Sequence, residues 1–424
     1  MCTRRVLMSM LESTQAASTS ATGAVSRVSF WDAGHLPTLV TSFFYFDTSF
    51  MIWVLLGALG NYIAGGFGLT AGQKGLMTAI PLLAGSILRL VLGILADTIG
   101  GRKAGLIGMS VTILPLVGGW VWADSLSKIF AVGLLLGVAG ASFAVALPMA
   151  GRWYPPEHQG LAMGIAGAGN SGTVFATLFA PRLAEKFGWH MVFALAIIPL
   201  AFAFSAYLTY AKDAPGSRRK TKGSEYVSLL AETDTYRFCL FYAVTFGGFS
   251  GLISFMPIFL HDQYRLTAVM AGDLTSFCVI AGSAMRPVGG WLSDKIGGIR
   301  VLLGLFGVIA AVLALMTALP PLYSAVALLF CALGFMGLGN GAVFQLVPQR
   351  FAKRVGSMTG VVGAAGGVGG FFFPVVLGWF KQHFGSFSYG FGIFAGLAAL
   401  ALITLFIAQQ LWIGSWLGKG GVAR

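Results

Sequence analysis

The stretch AGSILRLVLGILADTIGG, at Ala84–Gly101, decides the fold of this chain. It holds one arginine, Arg89, inside an apolar run and ends in two glycines. The pattern returns 197 positions later as AGSAMRPVGGWLSDKIGG, at Ala281–Gly298, with 11 of 18 residues identical. Arg89 therefore has a counterpart in Arg286, and the chain contains an internal repeat.

The composition is that of a membrane protein, because 57% of the residues are hydrophobic and only 10% are charged. A helix needs about 20 apolar residues to cross a bilayer. We therefore expect an all-α integral membrane protein with twelve transmembrane helices, and we exclude a soluble domain. The predicted helices cover about residues 36–63, 72–96, 104–123, 129–150, 160–184, 192–210, 238–260, 268–292, 301–319, 323–347, 356–380 and 387–412.

The repeat extends along the chain, since Phe187-Gly188 and Phe384-Gly385 also stand 197 positions apart. Two six-helix halves are implied, and many secondary transporters are built from such repeats with the substrate site at the bilayer midplane between them. The expected divisions are a disordered cytoplasmic tail at 1–35, an N-terminal half at 36–211, a cytoplasmic linker at 212–237, a C-terminal half at 238–412 and a cytoplasmic tail at 413–424.

The net charge of +13 follows the membrane topology and does not indicate a nucleic-acid partner. With both termini in the cytoplasm, 19 Lys and Arg residues lie on that side and 6 on the other, as the positive-inside rule requires. We expect a multi-pass monomer in the cytoplasmic (inner) membrane, in contact with the lipid bilayer. The four cysteines show no C-x-x-C spacing, so the sequence predicts no metal site and no cofactor.

The two repeated arginines point to an anion. Each precedes by eight residues an aspartate that closes its helix, Asp97 or Asp294, so each lies about 12 Å into the membrane. Burial of a charge there costs at least about 2.5–3.5 kcal/mol. A lone arginine could simply be bonded to carbonyls, but two at matched depth repel each other unless an anion lies between them. The planar guanidinium fork suits bidentate contact with an oxyanion.

Two further polar residues lie inside apolar runs. Asn170 is either a helix-contact residue or an anion ligand, since buried asparagines often bond across helices. Asp47 is the one acidic residue well inside a predicted helix, and an intramembrane carboxyl is a candidate proton relay. The alternatives for Asp47 are a hydrogen-bonded carboxyl at a helix contact or an ion-pair partner of one arginine.

The paired arginines occur together with GIAGAGNSGT at Gly164–Thr173 and GVVGAAGGVGG at Gly360–Gly370. With these segments, residues 36–412 resemble the nitrate/nitrite porters of the major facilitator superfamily. GILADTIGGRK at Gly93–Lys103 resembles the cytoplasmic-loop motif of the superfamily as a whole.

The resemblance implies that Arg89 and Arg286 clamp the anion and that Asn170 donates a hydrogen bond to it. It also implies that aromatic side chains enclose the flat ion. The substrate-binding residues expected from it are Arg89, Arg286, Asn170, Phe143, Tyr242, Phe246, Gly167, Gly363 and Gly366. At the turns between helices, we expect Asp97, Arg102, Asp294 and Arg300 to gate the cytoplasmic side.

The resulting hypothesis is a nitrate or nitrite transporter that works by alternating access. Nitrate uptake by proton symport, with protons as co-substrate and Asp47 or a less obvious group as the coupling group, is the first scheme. Nitrate/nitrite antiport and transport of formate, oxalate or phosphate are the alternatives. An enzyme is disfavoured and no catalytic residue is predicted, because the five histidines lie outside the predicted helical cores and do not cluster.

Overall fold

The computed structural model describes residues 29–215, 228–351, 354–413 and 415–416. Most of the predicted tail at 1–35, the middle of the linker and nearly all of the C-terminal tail therefore lie outside the described residues.

The described residues fold into helical stretches, which we number α1 to α12. They are α1 (Leu36–Trp53, Leu55–Ala58 and Gly60–Phe67), α2 (Ala71–Ile99), α3 (Gly101–Val121), α4 (Leu126–Gly151), α5 (Pro156–Gly167, a 3-10 turn at Ala168–Ser171, and Gly172–Phe187), α6 (Trp189–Tyr210), α7 (Thr233–Tyr264), α8 (Ala268–Ile296), α9 (Gly298–Met316), α10 (Leu322–Arg350), α11 (Val355–Phe384) and α12 (Ser388–Trp412).

Ten of these stretches are long and apolar enough to cross a membrane. The all-helical membrane fold is confirmed, and the remaining two stretches, α1 and α5, are interrupted where they touch other backbones. Any side chain at Gly57 would meet the carbonyl of Ser254 in α7, and one at Gly172 would meet the carbonyl of Asp47 in α1. Irregular backbone is tolerated at membrane depth where protein covers it, and small residues permit such close approach.

The sequence repeat is also a repeat of local structure. Helices α2 and α8 each contain 29 residues. They begin after threonine caps 197 positions apart, Thr70 and Thr267, whose hydroxyls accept from backbone N–H groups of the first turn. They end at Gly100 and Gly297, with φ of 98° and 97°, where a side chain would strain the backbone.

Two predicted boundaries are wrong. Helix α7 begins at Thr233, so the last residues of the predicted linker belong to the helix. Residues 29–35, assigned to a disordered tail, pack on the bundle, where the Phe30 ring stacks on Tyr154 at 4.8 Å. The His35 ring then caps α1 by accepting from the backbone N–H of Thr38. Aromatic contacts with residues more than a hundred positions away hold this segment in place. The local sequence does not predict such contacts.

Exposure separates the lipid-facing side of α2 from its inner side. Ile87 and Val91 are 58% and 57% exposed, whereas Arg89 between them is 1% exposed. Glycines bring α2 against α11, where Gly367 meets Ser86. In the same way Gly272 of α8 meets Thr177 of α5. Both repeated arginines are buried within the bundle, with Arg286 5% exposed.

The two ends of the bundle differ in what they hold. One end carries the turns after α2 and α4 together with residues 212–215, as the contacts of Asp97 with Arg152 and of Asp213 with Arg102 indicate. We call it the linker end. The other, called the opposite end, holds the start of α2 and the end of α11, which are joined by a hydrogen bond.

Candidate anion site

Arg89 is held by backbone carbonyls from two other helices. Its Nε donates to the carbonyl of Gly140 in α4 at 3.0 Å, and its Nη1 donates to that of Gly363 in α11 at 2.7 Å. Its Nη2 is buried without a hydrogen-bond partner among the described residues. Arg89 is therefore bonded to carbonyls, as one of the two interpretations from sequence supposed. One nitrogen of its guanidinium is still available to bind an anion.

Arg286 is 5% exposed and also has an unpartnered nitrogen, Nη1, within the described part of the chain. A side chain at Gly167 in α5 would begin 3.4 Å from Arg286 Nε. Gly167 therefore lies against the second arginine, and its lack of a side chain leaves room for the guanidinium; its role in binding stays a prediction.

One aromatic ring is shared by the two arginines. The ring centroid of Phe143 is 5.2 Å from Arg89 Cζ and 5.5 Å from Arg286 Cζ. The two guanidinium carbons are therefore at most about 11 Å apart, so their like charges repel by at least about 1.5 kcal/mol at an effective dielectric constant of 20. The predicted meeting of two charges from distant parts of the sequence is present in the fold.

Tyr242 and Phe246 form a stacked wall beside the arginines. Their rings are 5.0 Å apart and nearly parallel, and Phe246 lies 4.8 Å from Arg89 Cζ. Phe246 lies in a π-helical turn at Ala243–Gly247, which Tyr242 directly precedes. Gly366 makes room for this wall, because a side chain there would begin 2.5 Å from the Tyr242 ring. The Tyr242 hydroxyl is buried and faces the guanidinium groups of Arg286 and Arg89.

Two more aromatic residues contact the predicted site residues and were not singled out from sequence. Trp53 lies 5.2 Å from Arg89 Cζ and is fixed by a 2.7 Å hydrogen bond to the carbonyl of Pro81. Phe344 lies 5.7 Å from the ring of Phe143 and 4.8 Å from that of Tyr242. Among 35 phenylalanines and 10 tryptophans, no local signal distinguishes these two.

The amide of Asn170 is turned to its own helix. It is buried in the 3-10 turn of α5, and its NH2 group lies 3.2 Å from the carbonyls of Gly167 and Ala168 when the amide is oriented to donate to them. Its donors are thus engaged by local backbone in this conformation. Donation from Asn170 to the anion stays a prediction.

Asp47 is buried on the contact between α1 and α5. Its Oδ1 accepts a 2.7 Å hydrogen bond from the Ser171 hydroxyl. Among the described residues it forms no ion pair with Arg89 or Arg286. Of the alternatives weighed from sequence, the geometry matches the hydrogen-bonded carboxyl at a helix contact.

The predicted gating residues occupy the linker end. Asp97 pairs with Arg152 at 2.8 Å. The backbone N–H of Arg102 donates to Asp213 at 2.9 Å, which places a carboxylate at the start of α3, where the helix dipole favours it. Asp213 was not singled out from sequence. Asp294 and Arg300 are exposed, and neither is in an ion pair with another described residue.

Ion pairs at the opposite end join the two parts of the chain on either side of the linker. Lys74 of α2 meets Asp262 of α7 at 2.7 Å. Arg182 of α5 forms a bidentate pair with Asp273 of α8, at 2.6 and 2.8 Å. The ion pair of Asp97 at the linker end, by contrast, stays within the first part.

An apolar cavity of about 450 Å³ lies away from the arginines, between α7 and α9 to α12. No charged side chain lines it, so it does not suit an anion. The described residues contain no group of three or more His, Cys, Asp or Glu side chains that could hold a metal ion.

The fold and its family model define the class of protein. The Major Facilitator Superfamily model matches residues 41–351, so the chain is a multi-pass membrane transporter of that superfamily. The crystal structure of the human organic anion transporter MFSD10 (TETRAN) superimposes with a TM-score of 0.67, covering 88% of this chain and 99% of that one. The identity is 14%, so this likeness concerns the fold alone.

Closer relatives specify the family. The nitrite extrusion protein of Bacillus subtilis is 31% identical over 359 residues, covering 84% of this chain and 89% of that protein. The probable nitrate/nitrite transporter NarK2 of Mycobacterium tuberculosis is 34% identical, covering 81% and 89%. The probable nitrate/nitrite antiporter NarK1 of Thermus thermophilus is 31% identical, covering 84% and 88%. The chain belongs to the nitrate/nitrite porter family of the major facilitator superfamily.

Proposed function

We propose that this protein carries nitrate, nitrite or both across the cytoplasmic (inner) membrane, with both termini in the cytoplasm. The observation that carries the proposal is the placement of Arg89 and Arg286 against the same ring, that of Phe143, each with a buried nitrogen that has no hydrogen-bond partner among the described residues. The printed names of the relatives agree with this substrate class.

The chemistry of the site fits a small planar oxyanion. An anion about 4 Å from each guanidinium gains roughly 4 kcal/mol from each at an effective dielectric constant of 20, which exceeds the repulsion between the arginines. Nitrate and nitrite are flat and weakly hydrated, so the rings of Phe143, Tyr242 and Phe246 can replace their water at small cost. A tetrahedral phosphate packs less well against flat aromatic rings.

Transport would proceed by alternating access, with two six-helix halves at 36–211 and 238–412 rocking about the anion. The ion pairs Lys74–Asp262 and Arg182–Asp273 support this scheme, since they link the halves at the opposite end only when that end is closed. Release at the linker end would be controlled by Asp97, Arg102, Asp294 and Arg300.

Two coupling schemes remain in competition. In the first, proton symport, the buried carboxyl of Asp47 exchanges a proton during the cycle. In the second, antiport, the empty site with two unneutralised arginines does not reorient, so only an occupied carrier switches. Within the described chain Asp47 forms no ion pair with either arginine, so it does not neutralise the empty site. This observation favours antiport.

Proteoliposomes containing the purified protein test the proposal. Uptake of labelled nitrate is measured with and without an imposed proton gradient, and with and without internal nitrite, against liposomes without protein. We expect saturable uptake that formate, oxalate and phosphate inhibit poorly. Uptake that follows the proton gradient supports symport, and gradient-independent uptake that requires internal nitrite supports antiport. Absence of any nitrate or nitrite flux contradicts the proposed function.

A further inference from the structure

Helices α4 and α10 pack on their arginine-bearing neighbours in the same register. A side chain at Gly137 of α4 would begin 2.5 Å from Ala84 of α2, and one at Gly334 of α10 would begin 3.8 Å from Ala281 of α8. Gly334 lies 197 positions after Gly137, and Ala281 lies 197 positions after Ala84. The local surroundings of the two arginines can therefore be compared position by position.

Under this shift the counterpart of Phe143 is Asn340. Phe143 lies beside Arg89, so Asn340 occupies the equivalent place beside Arg286. An independent contact supports the assignment, because a side chain at Gly341 would meet the carbonyl oxygen of Arg286 itself. The aromatic ring of the first half is thus replaced by an amide in the second.

Asn340 is fully buried, and neither its Nδ2 nor its Oδ1 has a hydrogen-bond partner among the described residues. Leaving a buried polar group unbonded costs about 1–3 kcal/mol, so this amide needs a partner. Phe344 follows four residues later on the same helix face, and its ring contacts both Phe143 and Tyr242. The amide therefore faces the interior beside the candidate site and not the lipid.

Asn170 differs from Asn340 in this respect. The NH2 group of Asn170 is within bonding distance of carbonyls in its own turn, whereas that of Asn340 has no partner in the part of the chain that the structure describes. Of these two amides, only Asn340 offers an uncommitted donor in this conformation.

We propose that Asn340 is a specificity-determining residue whose amide N–H donates to the substrate anion, and that it favours nitrate over nitrite. Nitrate presents three oxygens in a plane and nitrite only two, so two arginine donors and one amide donor together match nitrate. This inference rests on the proposed function.

Binding of nitrate and of nitrite to the purified full-length protein by titration calorimetry tests the inference. A hydrogen bond to a charged group is worth about 1.5–3 kcal/mol, so Asn340→Ala should raise the nitrate Kd at least about tenfold. The nitrite Kd should change less than about threefold. Asn61→Ala is the matched control, since Asn61 is a helix asparagine whose amide donates to the carbonyl of Pro257, and it should leave the ratio of the two Kd values unchanged.

The inference is overturned if the ratio of the nitrate Kd to the nitrite Kd is the same in Asn340→Ala as in the wild type. This holds whether both Kd values stay the same or both rise by one factor, provided that thermal unfolding is unaltered. If the alanine variant does not fold, Asn340→Ser is measured in its place, with a smaller shift expected in the same direction and an unchanged ratio again decisive against the inference. Wild-type protein that binds neither anion would instead contradict the proposed function.

Discussion

The guanidinium of Arg89 donates to the carbonyl of Gly363 at 2.7 Å, which joins α2 to α11 across the centre of the bundle. The same side chain donates to Gly140 of α4. Two of its three nitrogens therefore fix the orientation of the guanidinium. The third is already oriented before an anion binds. A preset donor loses little freedom when an anion arrives, which favours affinity.

Arg89→Lys tests the fork geometry. Lysine keeps the charge but cannot hold two carbonyls and an anion at once, because its ammonium is a compact point charge. We expect the nitrate Kd to rise by about tenfold or more, the loss of one charge-assisted hydrogen bond. Arg265→Lys, at an exposed turn, controls for the chemical change. Near-normal affinity in Arg89→Lys counts against the proposed clamp.

Gly366→Ala tests the aromatic wall. The added methyl would begin 2.5 Å from the Tyr242 ring and 3.0 Å from Phe246, so the stacked pair must shift at a cost of about 1–3 kcal/mol. We expect weaker anion binding or a lower unfolding temperature. Gly356→Ala, on the same helix with open space around it, should change neither. Equal behaviour of the two variants would show that the wall tolerates displacement.

Asp47→Asn tests proton coupling. The amide retains the size and can keep a hydrogen bond with Ser171, but it cannot release a proton. Under the symport scheme, uptake driven by a proton gradient is lost while exchange of labelled for unlabelled nitrate persists. Both rates are measured in the same proteoliposomes. Unchanged proton-driven uptake would falsify a coupling role for Asp47.

Lys74→Asp tests the closure of the opposite end. Reversal of one charge turns the pair with Asp262 into a repulsion. Because such partly exposed pairs contribute about 1 kcal/mol or less, we expect up to about a fivefold shift toward the state open at that end. The readout is the distribution of distances between spin labels at positions 66 and 265 in a cysteine-free background.

The double variant Lys74→Asp with Asp262→Lys restores attraction and serves as the control for this shift. It should return the label distances to those of the wild type. A distribution that stays wild-type in the single variant, or stays shifted in the double one, contradicts a role for this pair in closure.

The two arginines of the candidate site could be predicted because the repeat can be read directly from the sequence. The matched depth of Arg89 and Arg286 follows from their equal spacing to the helix ends, and the structure brings both to Phe143. Gly167 was likewise placed against Arg286. Trp53 and Phe344 could not be found in this way, because an aromatic residue that lines a site has the same local pattern as one that faces lipid.

The sequence by itself determined the membrane class, the repeat and the pair of buried arginines, since hydropathy and spacing are properties of neighbouring residues. Only the tertiary structure decided which donors are free. Arg89 is bonded to carbonyls 51 and 274 positions away, the donors of Asn170 face its own turn, and those of Asn340 have no partner among the described residues. Hydrogen bonds between distant segments form only once the helices pack, so their presence or absence leaves no mark on local sequence.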